Sequence, residues 1–99
     1  MEIQMAYCIA VRWTIATGQE EKVRALAASM LAPSNAESGC DAYILHRDLA
    51  DPTALFLYEQ YTDVTAFDEH CTSEHFRLIV EAQIFPLLSD RRLEIYETV

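Results

Sequence analysis

The chain has 99 residues, of which 52% are hydrophobic, and its formal net charge is −9 with only seven lysines and arginines. This length predicts one domain, residues 1–99, with more apolar surface than a small monomer can bury, so a partner surface is expected. The acidic balance argues against nucleic acids and anionic membranes as partners, because both require a basic surface on the protein.

The first predicted elements are a strand and a helix. From Met5 to Ile15, bulky side chains alternate with small or polar ones, which predicts a strand with one bulky face. From Gln19 to Leu31, apolar residues recur at helical spacing, which predicts an amphipathic helix. Pro33 should end or kink this helix, because proline has no backbone amide to donate.

A hairpin is predicted next. Glu37-Ser38-Gly39 is typical of a turn, Cys40 to Leu49 of a second strand and Ala54 to Tyr61 of a third, with Asp51-Pro52 in the connection. Since successive side chains of a strand point to opposite faces, Glu59 should share a face with Leu57 and Tyr61, and not with Tyr58.

Helices and a last strand complete the pattern. Asp63 is expected to N-cap a short helix that carries His70, and Thr72 or Ser73 to cap a second helix that Pro86 kinks or ends. Arg92 to Thr98 is the predicted last strand. The order predicts an α+β, ferredoxin-like fold, β-α-β-β-α-β, in which an antiparallel sheet has its helices on one face.

The open face of this sheet predicts an oligomer. The first and third strands carry apolar residues on both sides, yet helices can cover only one side. A second copy packing against the open sheet face would bury the other side, and twofold symmetry is the commonest arrangement. We therefore expect a homodimer.

The cysteines and the absence of long apolar runs predict a cytoplasmic location. No apolar run reaches the length of a membrane span, and no basic, apolar leader is recognisable. Cys8, Cys40 and Cys71 are an odd number with no paired spacing, which is typical of reduced thiols in the cytosol.

Two of the three histidines, His70 and His75, flank the predicted junction between two helices. Side chains five residues apart do not align on one helix, but a break at Cys71-Thr72-Ser73 can turn both imidazoles toward a shared space. Imidazoles titrate near neutral pH, so the pair is a candidate for catalytic proton transfer. The alternative is that both rings cap helix ends by hydrogen-bonding the backbone.

Cys71 and the histidines also raise the question of a metal. The spacing of His46, His70, His75 and Cys71 matches no familiar zinc pattern, so no metal site is expected. Cys71 could be an activated thiolate beside a cationic imidazole, or a small buried residue.

The end of the third strand supplies further candidates. Tyr58, Glu59 and Tyr61 precede the histidine junction and could assist catalysis. Glu59 is either a general base or, if the faces of the two strands coincide, the partner of Arg12 in a buried ion pair. Several aromatic residues could form the walls of a site for a flat substrate, or could simply pack in the core and the interface. These residues are Trp13, Tyr43, Phe56 and Phe76, and Arg12 is a further candidate for substrate binding.

The Gly39-Cys40 turn with Tyr43, the strand end Leu57 to Tyr61, and the His70…His75-Phe76 junction resemble the antibiotic biosynthesis monooxygenase family. The resemblance implies the dimeric α/β-barrel version of the ferredoxin-like fold. It also implies one of several activities: cofactor-independent oxygenation of quinols or polyketides, isomerisation of a phosphorylated signalling sugar, or haem degradation.

Haem degradation and isomerisation of a phosphorylated sugar fit this sequence less well than oxygenation does. Haem requires an axial ligand, which haem-degrading members of the family carry further along the last long helix, and the corresponding region here, Leu78 to Ala82, contains no histidine. A phosphorylated substrate requires a cationic pocket, but Lys22 is the only lysine and the arginines are dispersed along the chain.

The leading hypothesis is a cofactor-independent monooxygenase that oxidises a small aromatic polyol or quinol with molecular oxygen. His70 and His75 would act as base and donor, assisted by Tyr58 or Tyr61, and no cofactor or metal is expected. The alternatives are an isomerase or tautomerase that moves a proton with the same histidines, and a non-catalytic, dimeric small-molecule-binding protein.

Overall fold

The computed structural model describes residues 5–99, which form four strands and four helices. The elements, in chain order, are β1 (Tyr7–Ile15), α1 (Glu20–Ser29), α2 (Leu31–Asn35), β2 (Cys40–Arg47), β3 (Ala54–Tyr61), α3 (Val64–Thr72), α4 (Phe76–Ile84) and β4 (Leu88–Glu97). A short 3₁₀ turn, Phe85–Leu87, joins α4 to β4.

The strands form one antiparallel sheet in the order β2-β3-β1-β4. The helices pack on one face of it, so the predicted α+β, ferredoxin-like fold is confirmed. Within residues 5–99, no helix combines the length and the apolar character that crossing a bilayer would require.

The core lies between the bulky face of β1 and the helices. Ile9 and Trp13 of β1 are 0% and 4% exposed, and they belong to the same buried cluster as Val23 of α1 and Val80 and Ile84 of α4. The alternation read from the sequence is therefore the alternation between this core and the open face of the sheet.

Pro33 interrupts the predicted first helix several residues before its own position in the chain. The first helix ends at Ser29, and a new helix, α2, begins at Leu31 with Pro33 as its third residue. A proline ring collides with the carbonyl four residues before it, here that of Ser29, so the break falls at Met30.

The strand bounds differ from the predicted ones at four ends. β1 begins at Tyr7 and not at Met5, and β4 ends at Glu97 and not at Thr98. β2 stops at Arg47 and not at Leu49, because the Asp48 carboxylate accepts hydrogen bonds from the amides of Ala50 and Asp51 and turns the chain. β4 begins at Leu88 and not at Arg92, because it pairs with β1 as far as Ile15. Pairing with a neighbour, which the local sequence does not encode, sets this bound.

α4 is a π-helix over its whole length, Phe76–Ile84. This form is rare and often occurs near functional sites. The Ser73 hydroxyl accepts a hydrogen bond of 3.2 Å from the Phe76 amide, which is the helix-start role expected of Thr72 or Ser73. Phe76, Val80 and Ile84, four residues apart, all pack against the core cluster.

Candidate functional site

A cavity of about 220 Å³ lies between the core face of the sheet and helices α3 and α4. Its wall is mainly apolar and aromatic, and Glu59 is the carboxylate in it. The lining residues are Val11, Trp13, Tyr43, Glu59, Phe67, Cys71, Phe76, Val80, Phe85, Arg91, Arg92 and Leu93. Among the predicted substrate-binding residues, Trp13, Tyr43 and Phe76 thus lie together at one cavity.

Glu59 is held in this wall by β3. Its side chain points to the core face with Leu57 and Tyr61, as the strand period predicts, and the residue is 4% exposed. Burial raises the pKa of Glu59 to about 7, although the Tyr61 hydroxyl, which donates a 2.6 Å hydrogen bond to Oε1, acts in the opposite direction. A carboxyl group with this pKa can both take and return a proton at neutral pH.

The two histidines of the junction share one partner, the carboxylate of Glu37. His70 Nδ1 lies 2.7 Å and His75 Nε2 lies 2.5 Å from the same atom, Glu37 Oε2, and the ring centroids are 5.9 Å apart. The predicted shared space is therefore present, and both rings contact a carboxylate instead of capping the backbone.

His70 connects this cluster to the cavity wall. It is 1% exposed, and its Nε2 lies 3.7 Å from Glu59 Oε1. Its ring also packs on Tyr43 and Phe76, which line the cavity, with ring centroids 5.5 Å and 5.3 Å away. Burial lowers the pKa of His70, while the adjacent Glu37 carboxylate opposes this effect, so the neutral ring is favoured.

Two contacts position the elements that carry these groups. The Asp63 carboxylate N-caps α3 by accepting a 2.9 Å hydrogen bond from the Ala66 amide, as predicted. A Cβ atom added to Gly39 would come within 2.5 Å of the Ala66 Cβ, so α3 packs directly on the turn that carries Glu37. Glycine at position 39 allows this close approach, which brings Glu37 and His70 together.

The structure places three other predicted residues on the opposite face of the sheet. Arg12 is paired with Phe56 across the β1–β3 register, and Tyr58 with Ala10, so all three side chains point to the open face. The Tyr58 hydroxyl donates to Gln60 Oε1 at 2.9 Å. These residues are therefore separated from the cavity by the sheet.

The predicted ion pair between Arg12 and Glu59 is wrong. Arg12 lies opposite Phe56 in the β1–β3 pair, and Glu59 is three residues after Phe56. Since side chains alternate between the two faces along a strand, Arg12 and Glu59 point to opposite faces of the sheet. Arg12 instead forms an ion pair of 3.0 Å with Asp48 at the β2–β3 connection.

Cys71 lines the cavity, but it is not an activated thiolate. Burial raises its pKa to about 11, with nearby carboxylates, chiefly Glu59, acting in the same direction. The alternative of a small, partly buried residue is the one that fits.

Among residues 5–99, the donor atoms of Glu37, His70 and His75 lie within 4.8 Å of one another, as three metal ligands could. In the tetrahedral geometry of zinc, however, ligand atoms are about 3.3 Å apart, since each bond is about 2.0 Å long. Glu37 Oε2 is closer than this to both imidazoles. The arrangement is that of hydrogen bonds, and a metal would require Glu37 to rotate.

His46, the remaining histidine of the chain, does not contribute to this cluster, because it lies on the open face of the sheet against Phe56.

Glu37 and Arg91 are two charged site residues that the sequence did not single out. Glu37 lies 33 residues before His70, in a segment whose sequence predicts only a turn. The one local feature that could have indicated close packing at this turn is Gly39, two positions after Glu37. Arg91 and Arg92, together with Leu93, bring β4 to the cavity, and the Arg91 guanidinium sits 3.7 Å above the centre of the Phe85 ring.

Comparisons with known proteins agree with this architecture. A family model described as antibiotic biosynthesis monooxygenase matches residues 6–82. Rv0793 of Mycobacterium tuberculosis, which carries a provisional monooxygenase name, is 42% identical over 67 residues; the match covers 68% of this chain and 64% of that protein. The chain thus matches less than two thirds of the length of this curated relative.

Solved structures match over almost the whole chain. The crystal structure of PA3566 from Pseudomonas aeruginosa superposes with a TM-score of 0.92 at 27% identity, covering 100% of this chain and 99% of that one. The structure of Rv0793 superposes with a TM-score of 0.88 at 27% identity, covering 95% of each chain.

Proposed function

This chain belongs to the antibiotic biosynthesis monooxygenase family, and we propose that it is a monooxygenase that oxidises a small aromatic quinol or polyol with molecular oxygen and without a cofactor. The observation that carries the proposal is a buried carboxyl group, Glu59, with a pKa of about 7 in the wall of an aromatic cavity. Such a group can take the phenolic proton, and the substrate anion can then reduce oxygen by itself.

The volume of the cavity suggests the size of the substrate. A cavity of roughly 150 Å³ accommodates benzene, so about 220 Å³ is suitable for one substituted ring or two fused rings. Trp13, Tyr43 and Phe76 offer flat, apolar contacts for such a ring system, and a bound ring would displace water from this largely apolar wall.

The chemistry balances without an external reductant. A hydroquinone and one O₂ give a hydroxyquinone and one water, so the substrate supplies all four electrons. Glu59 first accepts the phenolic proton; the substrate anion then transfers electrons to oxygen and a carbon–oxygen bond forms. Glu59 then returns its proton to the peroxide, and the carbon that has bound oxygen loses its hydrogen as the oxygen–oxygen bond breaks. These two hydrogens leave with one oxygen atom as water, and the carbon becomes a carbonyl. In this scheme Glu59 is the base, Tyr61 orients its carboxylate, and His70 supports it.

A second candidate is an isomerase or tautomerase that uses the same proton-transfer groups. Arg91 lies opposite Trp13 on the core face and borders the cavity, so one guanidinium is available there for an anionic substrate, whereas Arg92 lies opposite Arg12 and points to the open face. The product, and not the site, distinguishes the two: an isomerase rearranges its substrate without consuming oxygen.

We also propose that the protein is a cytoplasmic homodimer. Ile44 and Tyr96 share the open face with Tyr58 and Cys8, and they are 49% and 53% exposed. A second copy would remove this apolar surface from water. Sedimentation should then give a dimer that Ile44→Arg dissociates; a wild-type monomer would refute the assembly. The three free cysteines are consistent with a reducing compartment.

The proposed activity is tested by oxygen consumption. Metal-free protein is supplied with one- and two-ring hydroquinones, and we expect turnover that Glu59→Gln slows by about 100-fold or more. Glu69→Gln, an exposed carboxylate on α3, is the matched control and should not change the rate. Undiminished turnover in Glu59→Gln would refute the site assignment, and rearrangement without oxygen uptake would favour the isomerase.

A further inference from the structure

Glu37 occupies a fixed position beside His70. Its backbone lies in a turn in which the Glu37 amide donates to the Ser34 carbonyl at 3.2 Å and the Cys40 amide donates to the Glu37 carbonyl at 3.1 Å. The carboxylate is 19% exposed, and its Oε2 contacts the facing nitrogens of His70 and His75. The fold therefore holds one carboxylate oxygen between two imidazoles.

The chemistry of these groups determines where the hydrogens lie. An ionised carboxylate only accepts hydrogen bonds, so His70 Nδ1 and His75 Nε2, which both face it, must carry hydrogens. A neutral imidazole carries one hydrogen, and in His70 it is therefore on Nδ1. The other nitrogen, Nε2, is then a lone pair 3.7 Å from Glu59 Oε1.

We propose that Glu37 is a positioning residue that holds His70 in its Nδ1–H tautomer and so presents the Nε2 lone pair to Glu59. The role in catalysis rests on the proposed function: His70 becomes the acceptor for the proton that Glu59 takes from the substrate. A phenolic proton would pass to a Glu59 oxygen and, after an approach of about 1 Å to hydrogen-bond distance, to His70 Nε2. The imidazolium formed would lie between the carboxylates of Glu37 and Glu59.

The other groups around His70 are compatible with this assignment. Tyr61 donates its hydroxyl to Glu59 Oε1, and burial raises the pKa values of both Tyr43 and Tyr61, so neither competes as an acid near neutral pH. Besides the two carboxylates, the side chains that face the His70 ring from β2, β3, α3 and the start of α4 are Tyr43, Tyr61, Phe67, His75 and Phe76. Within the described residues, Glu37 is thus the hydrogen-bond acceptor for Nδ1.

The tautomer can be measured in the resting protein, without substrate or turnover. Nitrogen-15 NMR of histidine-labelled protein at about pH 8, where imidazoles are neutral, distinguishes the two ring nitrogens by their shifts and by their couplings to the ring protons. We expect His70 of the wild type to be the Nδ1–H form. An Nε2–H form in the wild type would overturn the proposal.

Variants separate positioning from general stability. Glu37→Ala removes the acceptor and should shift His70 toward the Nε2–H form, which can donate to Glu59. Glu37→Gln keeps an acceptor oxygen and should restore the Nδ1–H form, and Glu69→Ala, an exposed control on α3, should leave the tautomer unchanged. Retention of the Nδ1–H form in folded Glu37→Ala would also overturn the proposal.

The kinetic consequence distinguishes this inference from the function on which it rests. If the protein is an oxygenase, Glu37→Ala should lower kcat by about 10- to 100-fold and change KM little, because Glu37 does not line the cavity. If no quinol is oxidised, the proposed function fails, but the NMR result still decides the tautomer.

Discussion

Replacing Glu59 by glutamine should change how the stability of this protein depends on pH. Burial raises the pKa of Glu59 from an ordinary value of 4.5 to about 7. Between these two values the folded protein binds the proton more tightly than the unfolded chain does, so the free energy of unfolding falls as the pH rises. The stabilisation is complete below pH 4.5 and is lost as the pH passes through about 7.

The size of this effect follows from the pKa. A tenfold change in proton affinity corresponds to about 1.4 kcal/mol, so ionising Glu59 in the fold costs about 3 kcal/mol well above pH 7. Glutamine has a similar shape, can still accept the Tyr61 hydrogen bond and does not ionise. Relative to the wild type, the Glu59→Gln variant should therefore gain about 3 kcal/mol between pH 4.5 and pH 8.

Urea unfolding of both proteins across this pH range measures the difference directly. All other titrating groups are common to the two chains and largely cancel. Glu69→Gln, which removes an exposed carboxylate from α3, serves as the control and should follow the wild-type curve. Parallel curves for Glu59→Gln and the wild type would refute the assignment of a raised pKa to Glu59, and with it the argument for a base in the cavity.

Three further predictions concern the turn, the cap and the thiol. Gly39→Ala should lower the free energy of unfolding by about 1–3 kcal/mol in thermal or urea unfolding, because its Cβ would collide with that of Ala66; an unchanged stability would show that α3 can shift freely. Asp63→Ala should cost about 1 kcal/mol by the same measurement, through loss of the N-cap of α3, and Asp63→Asn should recover most of it. Cys71, whose pKa is raised to about 11, should react with iodoacetamide at pH 8 at least about tenfold more slowly than in the unfolded chain; equal rates would contradict the thiol assignment.

The alternating pattern of the strands was sufficient to predict the fold and the face of Glu59. In β1 and β3 the period of two is clear, so the core face and the position of Glu59 beside Tyr61 followed from the sequence and are confirmed. The partner of Arg12 could not be predicted in the same way, because the pairing register of β1 and β3 decides which residue lies opposite Arg12. That register depends on contacts between strands, which the local sequence does not specify.

The contacts of the histidine pair could be predicted only in part. The break between His70 and His75 predicted that their rings share a space, and they do. Their common partner, Glu37, is brought in by the packing of α3 on the Gly39 turn, a tertiary contact between segments far apart in the chain. Arg91 reaches the cavity for a similar reason, since β4 extends along β1 beyond its predicted start.

The most direct test of the proposed chemistry is the fate of labelled oxygen. A hydroquinone that the metal-free protein turns over is incubated with ¹⁸O₂, and the product and the water are analysed by mass spectrometry. We predict one ¹⁸O atom in the quinone and the other in water, with the yield strongly reduced in Glu59→Gln. A product without ¹⁸O, whether a rearranged substrate or an unlabelled quinone accompanied by peroxide, would contradict the monooxygenase proposal.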